Sequence, residues 1–281
     1  LNYYTLNDKI GSNTDRWTPG WGLTYCNFEQ VSREKSSSMN GPSLKDRYMQ
    51  SHLPDCFIAS AGATISYPET RFMLSATQLA FRRGDAWLFT DVSFEIHPAQ
   101  ILWLRGKNGR GKTSLLRLVV GLTQPDHGTL TWDGVPLHDA PDYRSQLVYI
   151  GHTNGLKDDL TVSESLHFLA RLHDRDSTPD SVSAALLRLA IHHRSHLPVR
   201  TLSQGQRRRV ALARLALEQG PSLWVLDEPF DTLDQEGISI INGLLEEHLA
   251  RHGSVILTSH LPFSLKGIHQ INVLDLDEGS A

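Results

Sequence analysis

Two short runs hold the residues most able to do chemistry. Gly106-Lys107-Asn108-Gly109-Arg110-Gly111-Lys112-Thr113 fits the pattern G-x-x-x-x-G-K-[ST]. Glycines in such a run let backbone N–H groups turn inward toward phosphate oxygens at the start of a helix, here one that Ser114 continues. Lys112 would reach the outer phosphates, and the Thr113 hydroxyl is a ligand for Mg²⁺. Further on, the apolar run Leu223-Trp-Val-Leu226 ends in two carboxylates, Asp227 and Glu228. A buried strand there would deliver Asp227 beside the glycine loop to share the Mg²⁺ with Thr113. Glu228 would then face the terminal phosphate, where a carboxylate orients or deprotonates an attacking water. Each run alone also fits a bland reading, a glycine turn or a solvated acidic turn; together they point to nucleoside triphosphate hydrolysis.

A third run is Leu202-Ser203-Gln204-Gly205-Gln206, followed by Arg207-Arg-Arg-Val-Ala-Leu-Ala-Arg214. Ser203 and Gln206 form a capping box, so a helix begins there with its N-terminal amides and positive dipole end open to an anion. His192, His193 and His196 lack a carboxylate or cysteine at ligand spacing and read as a solvated helix end.

The elements that must position these residues are legible in the patterning. Leu74–Phe81 and Trp87–Ile96 alternate as strands around a turn at residues 82–85, and Ala99–Arg105 is a strand leading into the glycine loop. Ser114–Val120 is helical and ends at Gly121. Strands are expected at Gly128–Trp132, Leu147–Ile150, Ser222–Leu226, Gly253–Thr258 and Ile271–Leu276, with a helix from about Gln235 to His252. Thr161-Val-Ser-Glu164 is a capping box whose helix carries Leu166, Leu169 and Leu172 on one face, and Thr178-Pro179 starts another helix. The result is an alternating α/β chain with a helical insertion at about 155–200.

Composition excludes several classes. A net charge of −4 over 281 residues argues against a nucleic-acid partner. No apolar stretch reaches the length of about 18 residues that a membrane-crossing helix needs, and no secretory leader opens the chain. The two cysteines, Cys26 and Cys56, form no disulfide framework or metal pattern, which suits a reducing compartment. Residues 1–72 are rich in Ser, Asn, Tyr, Gly and Pro and show no sustained period. The expectation is that translation starts at Met73 and that 1–72 is a wrongly extended reading frame; a genuine disordered or regulatory extension is the alternative.

Taken together, the motifs resemble the ABC-type ATPases. Leu202–Gln206 is similar to that family's L-S-G-G-Q signature, with Gln204 in place of the first glycine; Thr232-Leu-Asp234 resembles its D-loop and Thr258-Ser-His260 its switch histidine. Within the family the likeness is to the ATP-binding subunit of the cytochrome c biogenesis haem exporter. It rests on Leu104–Leu122, Ile150-Gly-His152, Asn154–Thr161, Gln206–Leu215, Leu223–Phe230 and Ile256–His260. Other transporters have proline-glutamine where Gly151-His152 stands, and Thr153 departs from the glutamine expected after the histidine. The resemblance covers Met73 to about Leu276. It implies a P-loop nucleotide-binding fold with a small antiparallel β subdomain. By the same resemblance His260 would sense the terminal phosphate, His152, after Leu147–Ile150, would contact Mg²⁺, and Phe81 is the nearest aromatic to stack on the adenine, with Arg82 or Arg83 as substitutes because guanidinium planes also stack. It also implies ATP and Mg²⁺ as cofactors, and a dimer in which Ser203, Gly205 and Gln206 close over the ATP of a second copy. Partners would be integral membrane permease subunits at the cytoplasmic face of a bacterial inner membrane, with haem or a haem chaperone served only indirectly. An exporter ATPase for another cargo, and a soluble relative acting on ribosomes or DNA, are the competing readings.

Overall fold

The computed structural model describes residues 73–220, 222–261, 263, 265–267 and 270–277; the expectations for 1–72 lie outside them. The chain opens with β1 (Leu74–Arg83) and β2 (Ala86–Ile96), paired antiparallel from Leu74 opposite Ile96 to Arg83 opposite Ala86. The turn between them is made by Gly84, whose φ of 64° lies in the left-handed region that glycine adopts without strain. β4 (His127–Trp132) pairs with β1 on its other edge, and the two-residue β5 (Val135–Pro136) completes the sheet order β2-β1-β4-β5.

A second sheet has the order β6-β7-β8-β3-β9, built from β6 (Leu147–Ile150), β7 (Leu223–Leu226), β8 (Ser254–Thr258), β3 (Gln100–Arg105) and β9 (Gln270–Asp275). Its pairings are all parallel. Every residue of β7 and β8 is buried, which explains why these strands read as continuous apolar runs rather than alternating ones. Alternate residues still divide between two layers. Leu102, Leu104, Leu223, Val225 and Ile256 join one apolar cluster with helix α1 (Lys112–Val119) and the β1–β2 hairpin. Ile101, Trp224, Leu226, Val255 and Leu257 join the other. That second cluster is filled by α2 (Val162–Leu172), α3 (Pro179–Arg188), α4 (Gln204–Leu212) and α5 (Gln235–Ala250).

The helix starts follow their capping chemistry. Thr161 and Glu164 form the reciprocal capping box of α2, Thr178 caps α3 with Pro179 in the first turn, and Ser203 and Gln206 form the box of α4. One expectation fails: Leu172 is 63% exposed, so the buried stripe of α2, which holds Val162, Leu166, Leu169 and Ala170, stops short of the helix end.

Candidate functional site

β3 ends at Arg105, and the glycine loop leads directly into α1. Gly106, Gly109 and Gly111 have φ values of 136°, 85° and 92°, which side chains with a Cβ rarely adopt. At Gly111 space also forbids a side chain: an added Cβ would stand 2.9 Å from Phe89 Cδ1 and 3.0 Å from Leu88 Cβ. Gly111 is the N-cap of α1 and offers no side-chain cap, so the first-turn amides are left to an anion. Lys112 folds back over the loop and donates from Nζ to the carbonyls of Gly106 (2.6 Å) and Lys107 (3.3 Å).

Parallel strands β7 and β8 bring their C-terminal ends beside this loop. Thr113 Oγ1 donates to Asp227 Oδ2 at 2.9 Å, and Thr258 Oγ1 donates to Asp227 Oδ1 at 2.8 Å. The same Thr258 oxygen accepts from the backbone N–H of Glu228 at 2.8 Å. Glu228 Oε2 accepts from the His260 backbone N–H at 3.1 Å, and His260 Nε2 stands 3.4 Å from Oε1. Burial pushes the Glu228 carboxyl above the ordinary carboxylate range, and the His260 N–H works against that rise. Glu228 also has a φ of 49°, uncommon for a residue with a Cβ. An adjoining cleft of about 440 Å³ is lined by Lys112, Thr113, Ser114, His152, Asp227, Glu228 and His260, among others. The paired hydroxyl and carboxylate of Thr113 and Asp227 are hard oxygen donors of the kind Mg²⁺ prefers.

Phe81 does not line this cleft. It is half-buried and packs on Phe89, ring centroids 6.2 Å apart, against the apolar cluster beneath α1. Arg83 and Leu88 stand on the β1–β2 side of the cleft instead. Arg82 is engaged elsewhere, pairing with Asp126 at 3.0 Å and lying over the Trp87 ring.

Ser203, Gly205 and Gln206 line a different cleft, of about 370 Å³, with His193, Arg209 and Asp234. None of these residues belongs to the phosphate-loop cleft. The glycine is obligatory here too, because a Cβ on Gly205 would come within 2.6 Å of the Thr232 carbonyl. Arg209 donates to Asp234 Oδ1 (2.5 Å) and Glu236 Oε2 (2.9 Å). The Asp234 carboxyl, which caps α5 through Gly237 N–H, is held below its usual range first by that N–H and then by Arg209.

Three residues of the site have roles that the sequence reading did not assign. Thr258 joins Asp227 to Glu228. Arg208, the second of three consecutive arginines, is buried under the ends of β6 and β7. Asp277, just after β9, accepts from the Lys107 N–H (3.0 Å) and Arg110 Nε (2.9 Å), tying the glycine loop to the last strand. An acid just past a predicted strand is the signal that would have drawn attention to Asp277; Arg208, between two other arginines, has none of its own.

The arrangement has close counterparts. The ABC transporter family model matches residues 89–231. The cytochrome c biogenesis ATP-binding export protein CcmA of Nitrosomonas europaea is 43% identical over 202 residues, covering 71% of this chain and 94% of that relative. CcmA of Vibrio vulnificus is 39% identical over 189 residues, covering 67% of this chain and 92% of the relative. Among solved structures, an ATP-binding subunit of an ABC transporter superposes with a TM-score of 0.60 at 26% identity, covering 67% of this chain and 80% of the other. A putative ABC transporter ATP-binding protein from Pyrococcus furiosus, at 22% identity, shares the fold with a TM-score of 0.64, covering 74% of this chain and 100% of that one. With its phosphate loop, paired carboxylates and capped signature helix on the matching scaffold, the chain belongs to the ABC transporter family, among the ATP-binding export proteins of cytochrome c biogenesis.

Proposed function

We propose that the chain is the ATP-hydrolysing subunit of an export complex that supports haem delivery during cytochrome c maturation. The observation that carries the hydrolytic part is the meeting of Thr113, Asp227, Thr258 and Glu228 through bonds of 2.8 to 2.9 Å at the mouth of the phosphate-loop cleft. The loop amides and Lys112 hold the β- and γ-phosphates of ATP. Thr113 and Asp227 would hold Mg²⁺, with His152 as a further contact. When bound, the ion neutralises charge on the phosphates. Glu228, its carboxyl raised by burial, takes the proton of the attacking water, and the His260 N–H keeps that carboxylate aimed. Arg83 rather than Phe81 lies against the adenine.

Ser203, Gly205 and Gln206 face a cleft of their own, which supports a dimer in which each copy closes the other's ATP site. Residues 73–281 form the ATPase domain, with the helical insertion at about 155–200. Among the described residues no helix is long and apolar enough to cross a membrane. In this reading integral permease subunits anchor the complex, with this chain peripheral on the cytoplasmic face. Haem and its chaperone are then reached only through those partners.

Glu228→Gln tests the hydrolytic reading: ATP binding should persist while turnover falls at least about a hundredfold and an ATP-bound dimer accumulates on size exclusion. Wild-type turnover in that variant would mean that another group activates the water. For the cargo, the chain should restore cytochrome c assembly to cells lacking their own such ATPase and co-purify with a polytopic membrane protein. Co-purification with an unrelated permease would keep the mechanism and overturn the cargo.

A further inference from the structure

Arg208 lies in α4 and is 3% exposed. A guanidinium taken out of water destabilises a fold unless its donors are met. Here the two terminal nitrogens are met by two separate loops, while Nε has no partner among the described residues. Nη1 donates to the Gly151 carbonyl at 2.9 Å and to Asn154 Oδ1 at 3.2 Å, both in the loop after β6. Nη2 donates to the carbonyls of Asp227 at 2.7 Å and Glu228 at 2.8 Å, in the loop after β7.

Two features give this grip a consequence for the site. Glu228 sits at a φ of 49°, a strained conformation that persists only where the surroundings over-determine it. Its backbone is held at both ends, the N–H by Thr258 and the carbonyl by Arg208. On the other side, the loop that Arg208 grips carries His152 between its two acceptors. His152 and Thr153 are exposed, and His152 lines the phosphate-loop cleft. The guanidinium is a rigid plane, so a shift of Gly151 or Asn154 cannot be absorbed within it and is passed to the Glu228 carbonyl.

We propose that Arg208 is a positioning residue that couples the Gly151–Asn154 loop to the Glu228 carboxylate, so that the placement of this exposed loop sets the rate of ATP hydrolysis. The inference rests on Glu228 as the group that activates water.

A double-mutant cycle tests it, using the full chain with Asn154→Ala, Arg208→Met and the pair, and reading kcat and equilibrium ATP affinity separately. Arg208→Met should lower kcat by about tenfold or more and leave ATP affinity within about threefold. Asn154→Ala should lower kcat by about threefold in the wild-type background and have no further effect once Arg208 is gone. Independent, multiplying effects of the two substitutions would overturn the coupling. So would an Arg208→Met protein that turns over within about twofold of wild type. If Arg208→Met does not fold, Arg208→Lys carries the same cycle, because an ammonium on a flexible stem grips one loop at a time. A wild-type chain that hydrolyses no ATP overturns the functional reading and this inference with it, whereas an active wild type with independent effects sinks the coupling alone.

Discussion

His248 gives the structure a calculable acid sensitivity. It is fully buried on α5, stacked on Trp224 with ring centroids 3.7 Å apart and planes 9° from parallel, and its Nε2 lies 2.9 Å from the Ser222 carbonyl. Gly253 closes the remaining side, where a Cβ would come within 2.1 Å of the ring. Burial pulls the imidazole from 6.5 down to about 4, only partly offset by the Ser222 contact. The folded chain therefore refuses a proton that the unfolded chain accepts between about pH 6.5 and 4. Stability contributed by the neutral ring is complete above pH 6.5 and is lost as pH falls toward 4. The full span is worth about 3 kcal/mol, of which about 2 kcal/mol is gone by pH 5. His248→Gln keeps a donor for Ser222 and cannot titrate; losing the ring stack should cost it about 1 kcal/mol at pH 7.5. Urea unfolding of both proteins at pH 7.5 and pH 5 reads the difference, because every other group titrates alike in the two. The wild type should lose about 2 kcal/mol more than the variant over that interval. Equal losses would refute the argument that this imidazole is buried neutral.

Two further outcomes are expected. Lys112→Ala should weaken ATP binding at least tenfold, since it removes the fixed cation at the outer phosphates, and undiminished affinity in equilibrium titration would dismiss that role. Asp277→Asn should raise KM for ATP by about threefold to tenfold with little change in Tm, because the half-exposed pair with Arg110 adds little to stability. A large fall in Tm with KM intact would make Asp277 a packing residue only.

Much of this was legible in the sequence because the determinants are local. The glycine loop, the strand ending in Asp227 and Glu228, and the capping boxes at Thr161 and Ser203 each lie within a few consecutive residues whose types dictate the backbone. A lone aromatic on a strand such as Phe81 carries no sign of which face it takes; the pleat sends it toward Phe89, outside the phosphate-loop cleft. Leu172 kept the helical period but lay beyond the neighbouring elements that could cover it. The partners of Arg208 and Asp277 were hidden for another reason. Most are backbone groups, which every residue possesses, so no pattern of side chains marks the acceptor or donor.

The bond from the Lys107 N–H to Asp277 spans 170 positions, and β9 joins β3 over the same distance in sequence. The glycine loop is thus made long before the strand and carboxylate that fix it. At synthesis rates of about 5–20 residues per second, the loop waits roughly 10 to 30 s for Asp277 to be added. Throughout that interval a nascent chain carries the whole phosphate motif without its final brace. The timetable of translation itself therefore keeps the nucleotide site unfinished until the last strand has been made.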